Sequence, residues 1–274
     1  MRRVKGLALA AGLLLCGVGA SAEDTAPAES PAALLDRAFQ NLYGDDFVQV
    51  LSLSTQRRGN QTMVRRIQLL RKQSEQPGKA IVRFLEPPEV RRTAVLILES
   101  SARYDDFFVF LPALGKVRRI SSGQRADSFF GTDLAYEDIE PKRAADWEVR
   151  LEGNGEEADT PCLVLDIRPR VAEDSTYERM VSCIDPVRGV ILRTDFWRRG
   201  EAVKRLRVRP SDVREVAGRQ IPFVFTMDTP RAGSETVVAT ERYEIREKLP
   251  DGIFTAGNLE IGDADGDRRL AGAP

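Results

Sequence analysis

The sequence predicts a mainly β fold (α+β) built on a single, strongly curved antiparallel sheet. Short apolar stretches separated by turn-forming residues recur along the chain, and this spacing is typical of strands paired through hairpins. Several stretches alternate apolar and polar residues, as Trp147–Leu151 does, which indicates one dry and one wet face. A sheet this long must curl, and its dry face needs a cover. We therefore expect helices and loops on the concave face.

One helix is predicted near the start, over Ala32–Tyr43. Ser30 is a favoured capping residue, Pro31 suits the first turn, and Gly44 suits the end. The apolar residues fall on one stripe: Leu34, Leu35, Ala38, Phe39 and Leu42. This helix is expected to lie on the sheet.

The other elements are predicted as strands, because turn signals such as Arg58-Gly59-Asn60 and Glu86–Glu89 separate them. The predicted strands are Phe47–Thr55, Met63–Arg71, Lys79–Leu85, Thr93–Leu98, Phe107–Leu111, Lys116–Ile120, Asp146–Glu152, Pro161–Arg168, Tyr177–Ile184, Val190–Trp197, Ala202–Val208, Gln220–Met227 and Thr236–Glu247.

The first 22 residues have the pattern of a secretory signal. A basic start precedes the apolar core Gly6–Val18, and Ala20-Ser21-Ala22 supplies the small residues of a cleavage site. We expect cleavage after Ala22 and a mature protein in the periplasm. The predicted organisation is a signal peptide over 1–22, a flexible segment over 23–29, one domain over 30–261 and a flexible acidic tail over 262–274.

Lipid attachment at Cys16 is the less favoured alternative. Residue 15 is leucine, whereas such sites take a small residue just before the cysteine. No later stretch approaches the 18 or so apolar residues of a spanning helix.

Two cysteines remain after cleavage, Cys162 and Cys183, each within an apolar strand-like stretch. A polar turn, Ala172–Ser175, lies midway between them, so folding there brings the two cysteines opposite each other. In an exported protein this arrangement favours a disulfide, and two buried free thiols are the alternative.

The composition argues against several function classes. The chain has no histidine, which removes Ser-His-Asp and Cys-His catalysis together with the commonest zinc ligand. The formal net charge is −1, and it is −4 without the three basic residues of the predicted signal. Paired arginines are interspersed with acids, so no nucleic-acid surface is predicted. We expect no enzymatic activity, no metal and no cofactor.

The most distinctive stretch is Phe107–Ile139. An apolar strand is followed by a Pro-x-x-Gly turn, a basic strand and a polar loop that ends in Phe129 and Phe130. The turn formers Gly131–Asp133 come next, so the two phenylalanines are predicted at a loop tip or rim. Large apolar side chains there need a partner surface or a ligand.

This stretch resembles the signature of the outer membrane lipoprotein-sorting proteins, the LolA-like family. The features that carry the resemblance are Leu111-Pro112, Arg119–Ser122, Phe130–Asp133 and Tyr136–Asp138. The resemblance implies an unclosed half-barrel whose concave apolar face, covered by helices and loops, forms a cavity for acyl chains.

The resemblance also implies a function. It indicates a periplasmic binding or carrier protein for a lipid, lipoprotein or other hydrophobic cargo in outer-membrane trafficking. The expected partners are that cargo, an inner-membrane RND- or MMPL-type transporter and, transiently, the membrane. The alternative is an RseB-like envelope sensor that binds lipid or protein ligands without transporting them.

An acyl-chain cavity needs apolar walls and a mouth. The wall candidates are Phe84, Leu96, Leu98, Phe108, Phe110, Trp147, Phe223, Phe225 and Met227, and the mouth candidates are Phe129, Phe130 and Tyr136. Ordinary core packing is the alternative for each. The stretch Phe107–Leu111 is apolar on both faces, so the face that lines the cavity stays open. Replacing both Phe129 and Phe130 with Ser is expected to weaken lipid capture and leave the fold intact.

Overall fold

The computed structural model describes residues 29–73, 77–100 and 105–270. The predicted signal peptide and Cys16 lie outside the described residues. Thirteen strands form one antiparallel sheet that does not close, and two further short strands form a separate hairpin. The predicted fold class is therefore confirmed. Within the described ranges, no helix is long and apolar enough to cross a membrane.

The strands are β1 (Asp46–Arg57), β2 (Met63–Lys72), β3 (Lys79–Glu86), β4 (Ala94–Leu98), β5 (Asp106–Leu111), β6 (Lys116–Arg119), β7 (Trp147–Glu157), β8 (Thr160–Pro169), β9 (Arg179–Asp185), β10 (Val190–Arg198), β11 (Glu201–Arg207), β12 (Val213–Val216), β13 (Arg219–Pro222), β14 (Val224–Thr229) and β15 (Ser234–Arg246). The helices are α1 (Pro31–Tyr43), α2 (Ala256–Ile261) and α3 (Ala264–Leu270).

The sheet joins two series of hairpins through one long-range pairing. Its strand order is β6-β5-β4-β3-β2-β1-β15-β14-β11-β10-β9-β8-β7. The pairing of β15 with β1 sets Arg246 opposite Asp46 and Ser234 opposite Arg57. In the described residues, β6 and β7 each pair on one side only, so the half-barrel stays open.

Strands β3 and β4, in the middle of the first half of the sheet, are buried on both faces along nearly their whole length. In β4, Val95 and Ile97 belong to the concave core, whereas Ala94 and Leu96 belong to a second cluster on the outer face. Because neither face meets water, these strands read as continuous apolar stretches. The outer face is covered by four residues that follow the last strand: Leu249, Ile253, Phe254 and Leu259.

Helix α1 lies on the concave side, as predicted. The Ser30 hydroxyl accepts a hydrogen bond from the N–H of Ala33 (3.2 Å), and Pro31 occupies the first turn. Its apolar stripe is buried through Leu34, Leu35, Ala38 and Phe39. The polar side holds the β9–β10 turn, since Asn41 donates to the carbonyl oxygens of Arg188 (3.0 Å) and Gly189 (2.9 Å).

The C-terminal residues differ from the flexible tail predicted over 262–274. Residues 264–270 form α3, and Asp267 is fully buried in an ion pair with Arg83 of β3. The Asn258 side chain donates to the same carboxylate (2.7 Å), and Arg83 donates to the Asn258 carbonyl (2.6 Å). A buried arginine on the outer face needs these partners, so the tail residues that supply them are held against the sheet.

Removing the charge of Asp267 is expected to destabilise the protein. Asp267→Asn keeps the shape of the side chain but leaves the buried Arg83 guanidinium without its carboxylate, at a cost of about 2 kcal/mol in unfolding free energy. Urea unfolding measures this. Glu260→Gln, which removes one charge from an exposed position in α2, is the control and should change stability little. Equal stability of Asp267→Asn and wild type would contradict the pairing.

The predicted disulfide is present between Cys162 of β8 and Cys183 of β9. The two Cα atoms lie 5.4 Å apart, and both side chains are buried. The bond closes a loop with a sequence separation of 21 residues. A loop of this size stabilises the folded state by about 3 kcal/mol in the chain-entropy account.

Candidate functional site

The concave face encloses a cavity of about 270 Å³. Helix α1 covers it on one side with Leu35, Ala38 and Phe39, and strands of both halves of the sheet form its walls. The wall residues are predominantly apolar, among them Leu51, Leu53, Ile67, Val82, Ile97, Ile167, Met180, Phe196, Phe225, Met227 and Val238. Such a lining suits an apolar ligand.

Charged side chains reach the cavity lining at three positions, and each already has a partner. Arg71 forms an ion pair with Glu99, and its guanidinium lies 5.0 Å from the centroid of the Tyr43 ring. The Asp138 carboxylate accepts from Lys204 (2.9 Å). The Lys142 ammonium donates to the carbonyl oxygen of Glu137 (3.0 Å). The interior therefore presents mostly apolar surface, and its charges are engaged by the protein itself.

A segment that we call the strap, residues 120–140, crosses the concave face. It joins the edge strand β6 to residues of the opposite half of the sheet. The strap contains the Phe-Gly-Thr-Asp motif (Phe130–Asp133) and the Tyr-Glu-Asp motif (Tyr136–Asp138). The carboxylates of both motifs hold the strap to other parts of the fold through hydrogen bonds.

Asp133 fastens the strap to β15. Its buried carboxylate accepts hydrogen bonds from the hydroxyls of Ser234 and Thr236, the latter at 2.7 Å. The N–H of Asp133 donates to the Thr236 hydroxyl (2.9 Å), which also lies 2.9 Å from the hydroxyl of Thr55. A buried carboxylate is stable only when it is hydrogen-bonded in this way, so the site holds the turn against β1 and β15.

Glu137 and Asp138 fasten the strap to the other half of the sheet. Glu137 accepts from the Ser175 hydroxyl and from the N–H of Thr176 (2.9 Å), just before β9. Burial opposes ionisation of Glu137, but the Lys142 charge and these hydrogen bonds outweigh it and hold the pKa of Glu137 below its usual value. Asp138 accepts from the hydroxyl of Tyr177 (2.8 Å).

A buried ion pair completes the attachment of the strap. The Nε atom of Arg125 lies 2.8 Å from Oε1 of Glu140, and both residues are buried. Arg125 also donates to the carbonyl oxygen of Asp174 (3.0 Å). The strap is thus held by buried polar groups at several points along its length.

Three of the predicted site residues line the main cavity. Phe225 and Met227 of β14 form part of its wall, and Phe129 lines it on the side where the strap lies. Phe84 and Trp147 belong to the same concave core but lie outside the cavity lining, Phe84 because it packs against the strap. Phe223 is buried under the Arg214 guanidinium, 4.3 Å from its ring centroid.

Four predicted wall residues lie on the opposite face of the sheet. These are Leu96, Leu98, Phe108 and Phe110, which contact the cluster beneath the C-terminal segment. The physical reason is the pleat: Phe107 and Val109 face the concave side, so their neighbours face outward. This corrects the assignment of these four residues to the cavity wall and identifies the concave face of β5.

The mouth prediction separates into two cases. Phe129 is 1 % exposed and packs against the rings of Phe84, Phe130 and Tyr136, at centroid distances of 5.9, 5.1 and 5.6 Å. It is a core residue, which corrects its prediction at an exposed rim. Phe130 is half-buried and takes a positive φ of 50°. The centroid of its ring lies 4.5 Å from that of Phe84.

Phe130 and Tyr136 line a second cavity of about 480 Å³ beside the edge of the sheet. Its other lining residues are Val109, Leu111, Arg118, Arg119, Ile120 and Gln124. Two mouth candidates therefore share a pocket with two arginines, next to the strap and outside the main cavity.

Sequence reasoning missed much of the cavity wall in β1, β2, β9 and β10. The missed residues include Leu51, Leu53, Ile67, Met180 and Phe196. Their alternation with polar neighbours was visible, for example in Leu51-Ser52-Leu53, and it marks one face of each strand.

Asp105, which directly precedes β5, has a pKa raised to about 6. Burial is the main cause, and the charges of Glu140 and Glu99 add to it, while a hydrogen bond from the N–H of Ser100 (3.1 Å) opposes it. The folded protein therefore binds this proton more tightly than the unfolded chain does. The contribution of Asp105 to stability falls as the pH rises from about 4 to above 6.

Asp105→Asn is accordingly expected to stabilise the protein at pH 7.5 by about 1–2 kcal/mol and to have little effect at pH 4. The amide keeps an acceptor for Ser100 and removes the buried charge. Unfolding midpoints of the variant and wild type at the two pH values test this. A gain of the same size at both would show that the charge is not its cause.

Three comparisons place this geometry among known proteins. The family model whose description reads "-like: Uncharacterized protein" matches residues 77–261, which is more than half of the chain. No protein with a curated description matches the sequence.

Solved structures with similar folds cover most of the chain. A DUF1329 family protein from Desulfovibrio piger is 25% identical, with a TM-score of 0.78 over 86% of this chain and 100% of that one. A domain from Vibrio parahaemolyticus, provisionally described as outer membrane lipoprotein-sorting, is 21% identical, with a TM-score of 0.75. The match covers 82% of this chain and 97% of that one. A LolA superfamily protein from Nitrosomonas europaea is 23% identical, with a TM-score of 0.67. The match covers 83% of this chain and 98% of that one.

The TM-scores show that these structures share the overall fold of this chain. The chain therefore belongs to the family that this model of uncharacterized proteins describes, and its fold is that of the LolA-like outer membrane lipoprotein-sorting proteins.

Proposed function

We propose that the protein is a periplasmic carrier that binds a lipid, a lipoprotein or another hydrophobic cargo in outer-membrane trafficking. One observation supports this above the others: the open half-barrel encloses an apolar cavity under α1 and the strap. The description of the Vibrio parahaemolyticus domain as lipoprotein-sorting agrees with it. An RND- or MMPL-type transporter in the inner membrane is the proposed partner.

The energetics explain why such a cavity is useful. Exposing an acyl chain to water costs about 0.8 kcal/mol per methylene, so a chain of about 15 methylenes costs on the order of 12 kcal/mol. A carrier must offer a comparable dry surface and still release the chain. The concave face supplies that surface through its apolar walls.

The cavity volume indicates that the cover must move. At about 270 Å³, the cavity is slightly smaller than the usual range of ligand-binding cavities, roughly 300–1,000 Å³. The strap is held by buried carboxylates. Helix α1 is tied at its polar side by hydrogen bonds of Arg37 and Asn41 to the β9–β10 turn and of the Ala144 N–H to Asp36. The partly exposed ion pair of Asp45 with Arg219 lies just beyond its end. We therefore propose that α1 moves away from the sheet to admit cargo.

Export of the chain is part of the same proposal. The signal-like residues 1–22 would be removed after Ala22, leaving a mature protein with one domain in the periplasm. The disulfide of Cys162 and Cys183 supports an oxidising compartment.

Lipid extraction of the purified mature protein tests the carrier function. We expect mass spectrometry to find co-purifying lipid and a fluorescent fatty acid to bind in competition with it. Transfer of that lipid to acceptor vesicles would support a carrier. A protein that neither retains lipid nor binds the probe would refute the proposal, and binding without transfer would favour a sensor.

A further inference from the structure

Three hairpin turns lie side by side at one end of the sheet. They connect β1 to β2, β3 to β4 and β5 to β6, and these strands are neighbours in the order β6-β5-β4-β3-β2-β1. In a series of antiparallel hairpins every second turn lies at the same end, which gathers sequence positions more than fifty residues apart. Six exposed cations lie in and beside these turns: Arg57, Arg58, Arg91, Arg92, Lys116 and Arg118. We call this surface the basic face.

The cations of the basic face have no carboxylate partners among the residues that the structure describes. In the described part of the chain, none of the six forms an ion pair within 4 Å. Arg57 donates to the carbonyl oxygen of Gly131 (2.9 Å), and Arg91 donates to that of Leu85 (3.1 Å). The turns contain only two acids, Glu86 and Glu89, of which Glu86 lies 3.6 Å from Arg66.

A strong local positive charge is notable on this chain because its overall balance is slightly acidic. Elsewhere the structure neutralises many of its arginines, as in the ion pairs of Arg150 with Glu148 and Arg209 with Asp212. Arg65, beside the same turns, is partly buried, and burial lowers its pKa. It forms no ion pair with another described residue.

Apolar side chains project from the same face. Leu114, at the tip of the β5–β6 turn, is 49% exposed and follows the exposed Pro112 and Ala113. Lys116 comes two residues later. An apolar tip flanked by cations is the arrangement that enters the headgroup region of a bilayer, where the cations meet lipid phosphates.

The basic face also adjoins the candidate site. Arg118 lines the second cavity together with Phe130 and Tyr136, and Arg57 binds the strap at Gly131. A ligand leaving a membrane at this face would therefore meet the strap and the edge of the half-barrel first.

We infer that the basic face docks the protein on an anionic phospholipid bilayer, with Leu114 inserted among the headgroups. The inference rests on the proposed carrier function for its purpose, but the surface itself is tested without cargo. Each Lys or Arg near an anionic membrane contributes about fivefold in affinity, that is about 1 kcal/mol. Exposed charges are screened by salt, so the docking is reversible.

Vesicle sedimentation of the mature protein tests the docking. We expect binding to phosphatidylcholine vesicles that contain phosphatidylglycerol, weak binding to phosphatidylcholine alone, and loss of binding at high salt. The triple variant Arg58→Glu, Arg92→Glu, Lys116→Glu changes one exposed residue in or directly beside each turn. It should weaken binding by about a hundredfold or more, and Leu114→Ser should weaken it by a smaller factor.

The control reverses three exposed arginines outside the basic face: Arg150→Glu, Arg209→Glu and Arg269→Glu. It makes the same change in net charge and should still sediment with anionic vesicles. Binding that is equal in the two triple variants would overturn the inference. So would an absence of vesicle binding in the wild type, including a case in which the basic face captures only acidic proteins.

A fluorescent fatty acid in free solution separates the two proposals. The triple variant of the basic face should bind this probe as the wild type does, because the main cavity is untouched. If the wild type fails to bind the probe but still sediments with anionic vesicles, the carrier proposal fails and the docking inference stands.

Discussion

Ala80→Phe is expected to weaken lipid capture by about a hundredfold while the protein stays folded. Ala80 is 2 % exposed and lies in β3 on the concave wall, where its methyl group faces the cavity. A phenyl ring at this position occupies space that the acyl chain needs. Displacing about four methylenes at about 0.8 kcal/mol each accounts for the expected loss. Titration with a fluorescent fatty acid measures it.

Ala94→Phe provides the matched control for this substitution. Ala94 lies in the neighbouring strand β4 and is also buried, but it faces the outer cluster instead of the cavity. Overpacking that closed cluster should cost about 1–3 kcal/mol of stability and leave lipid capture unchanged. If Ala80→Phe bound lipid as tightly as wild type, the main cavity would not be the binding site.

Phe129→Ser is expected to lower the free energy of unfolding by about 4 kcal/mol. Removing a buried phenylalanine ring costs about 3–5 kcal/mol, and the new hydroxyl has an apolar neighbourhood formed by Phe84, Phe130 and Tyr136. Since natural domains are stable by about 5–15 kcal/mol, this loss is a large share of the total. Urea unfolding followed by circular dichroism measures it.

Phe130→Ser gives the contrasting result. Phe130 is half-buried and lines the second cavity, so we expect a smaller loss of about 1–2 kcal/mol and a protein that stays folded at room temperature. Similar stability of the two variants would contradict the burial difference between the two rings. A Phe129→Ser variant that is as stable as wild type but captures lipid less well would show that Phe129 acts at the mouth of the cavity.

The strands show how far local pattern reaches. Alternation and turn residues predicted β1 to β6, β8 to β11 and β15 to within a few residues, since a strand and its hairpin are specified by neighbours in sequence. Strand β7 runs to Glu157, well beyond its predicted end at Glu152. The stretch predicted as one strand over Gln220–Met227 is divided into β13 and β14, which pair with different strands. That division follows from pairing partners, which local pattern does not reveal.

The strap shows a second kind of limit. Its motif was visible in the sequence, but the reason for Asp133, Glu137 and Asp138 lies in residues 39 to 103 positions away along the chain. A carboxylate in a turn reads as solvated when only its neighbours are known. Three-dimensional packing brings Thr236 and Tyr177 to it and makes it an anchor.

The sequence by itself determined the class of the fold, the α1 helix and the lack of histidine chemistry, because each depends on composition or short-range spacing. It favoured the pairing of the two cysteines, and the structure decided it. Tertiary structure decided which face of the sheet is the cavity wall. Both faces of β4 and β5 are apolar, and only the C-terminal segment, held by the buried pair of Arg83 and Asp267, shows that one of them is covered from outside. Burial on both faces removes the polar alternation that would otherwise have distinguished wall from exterior.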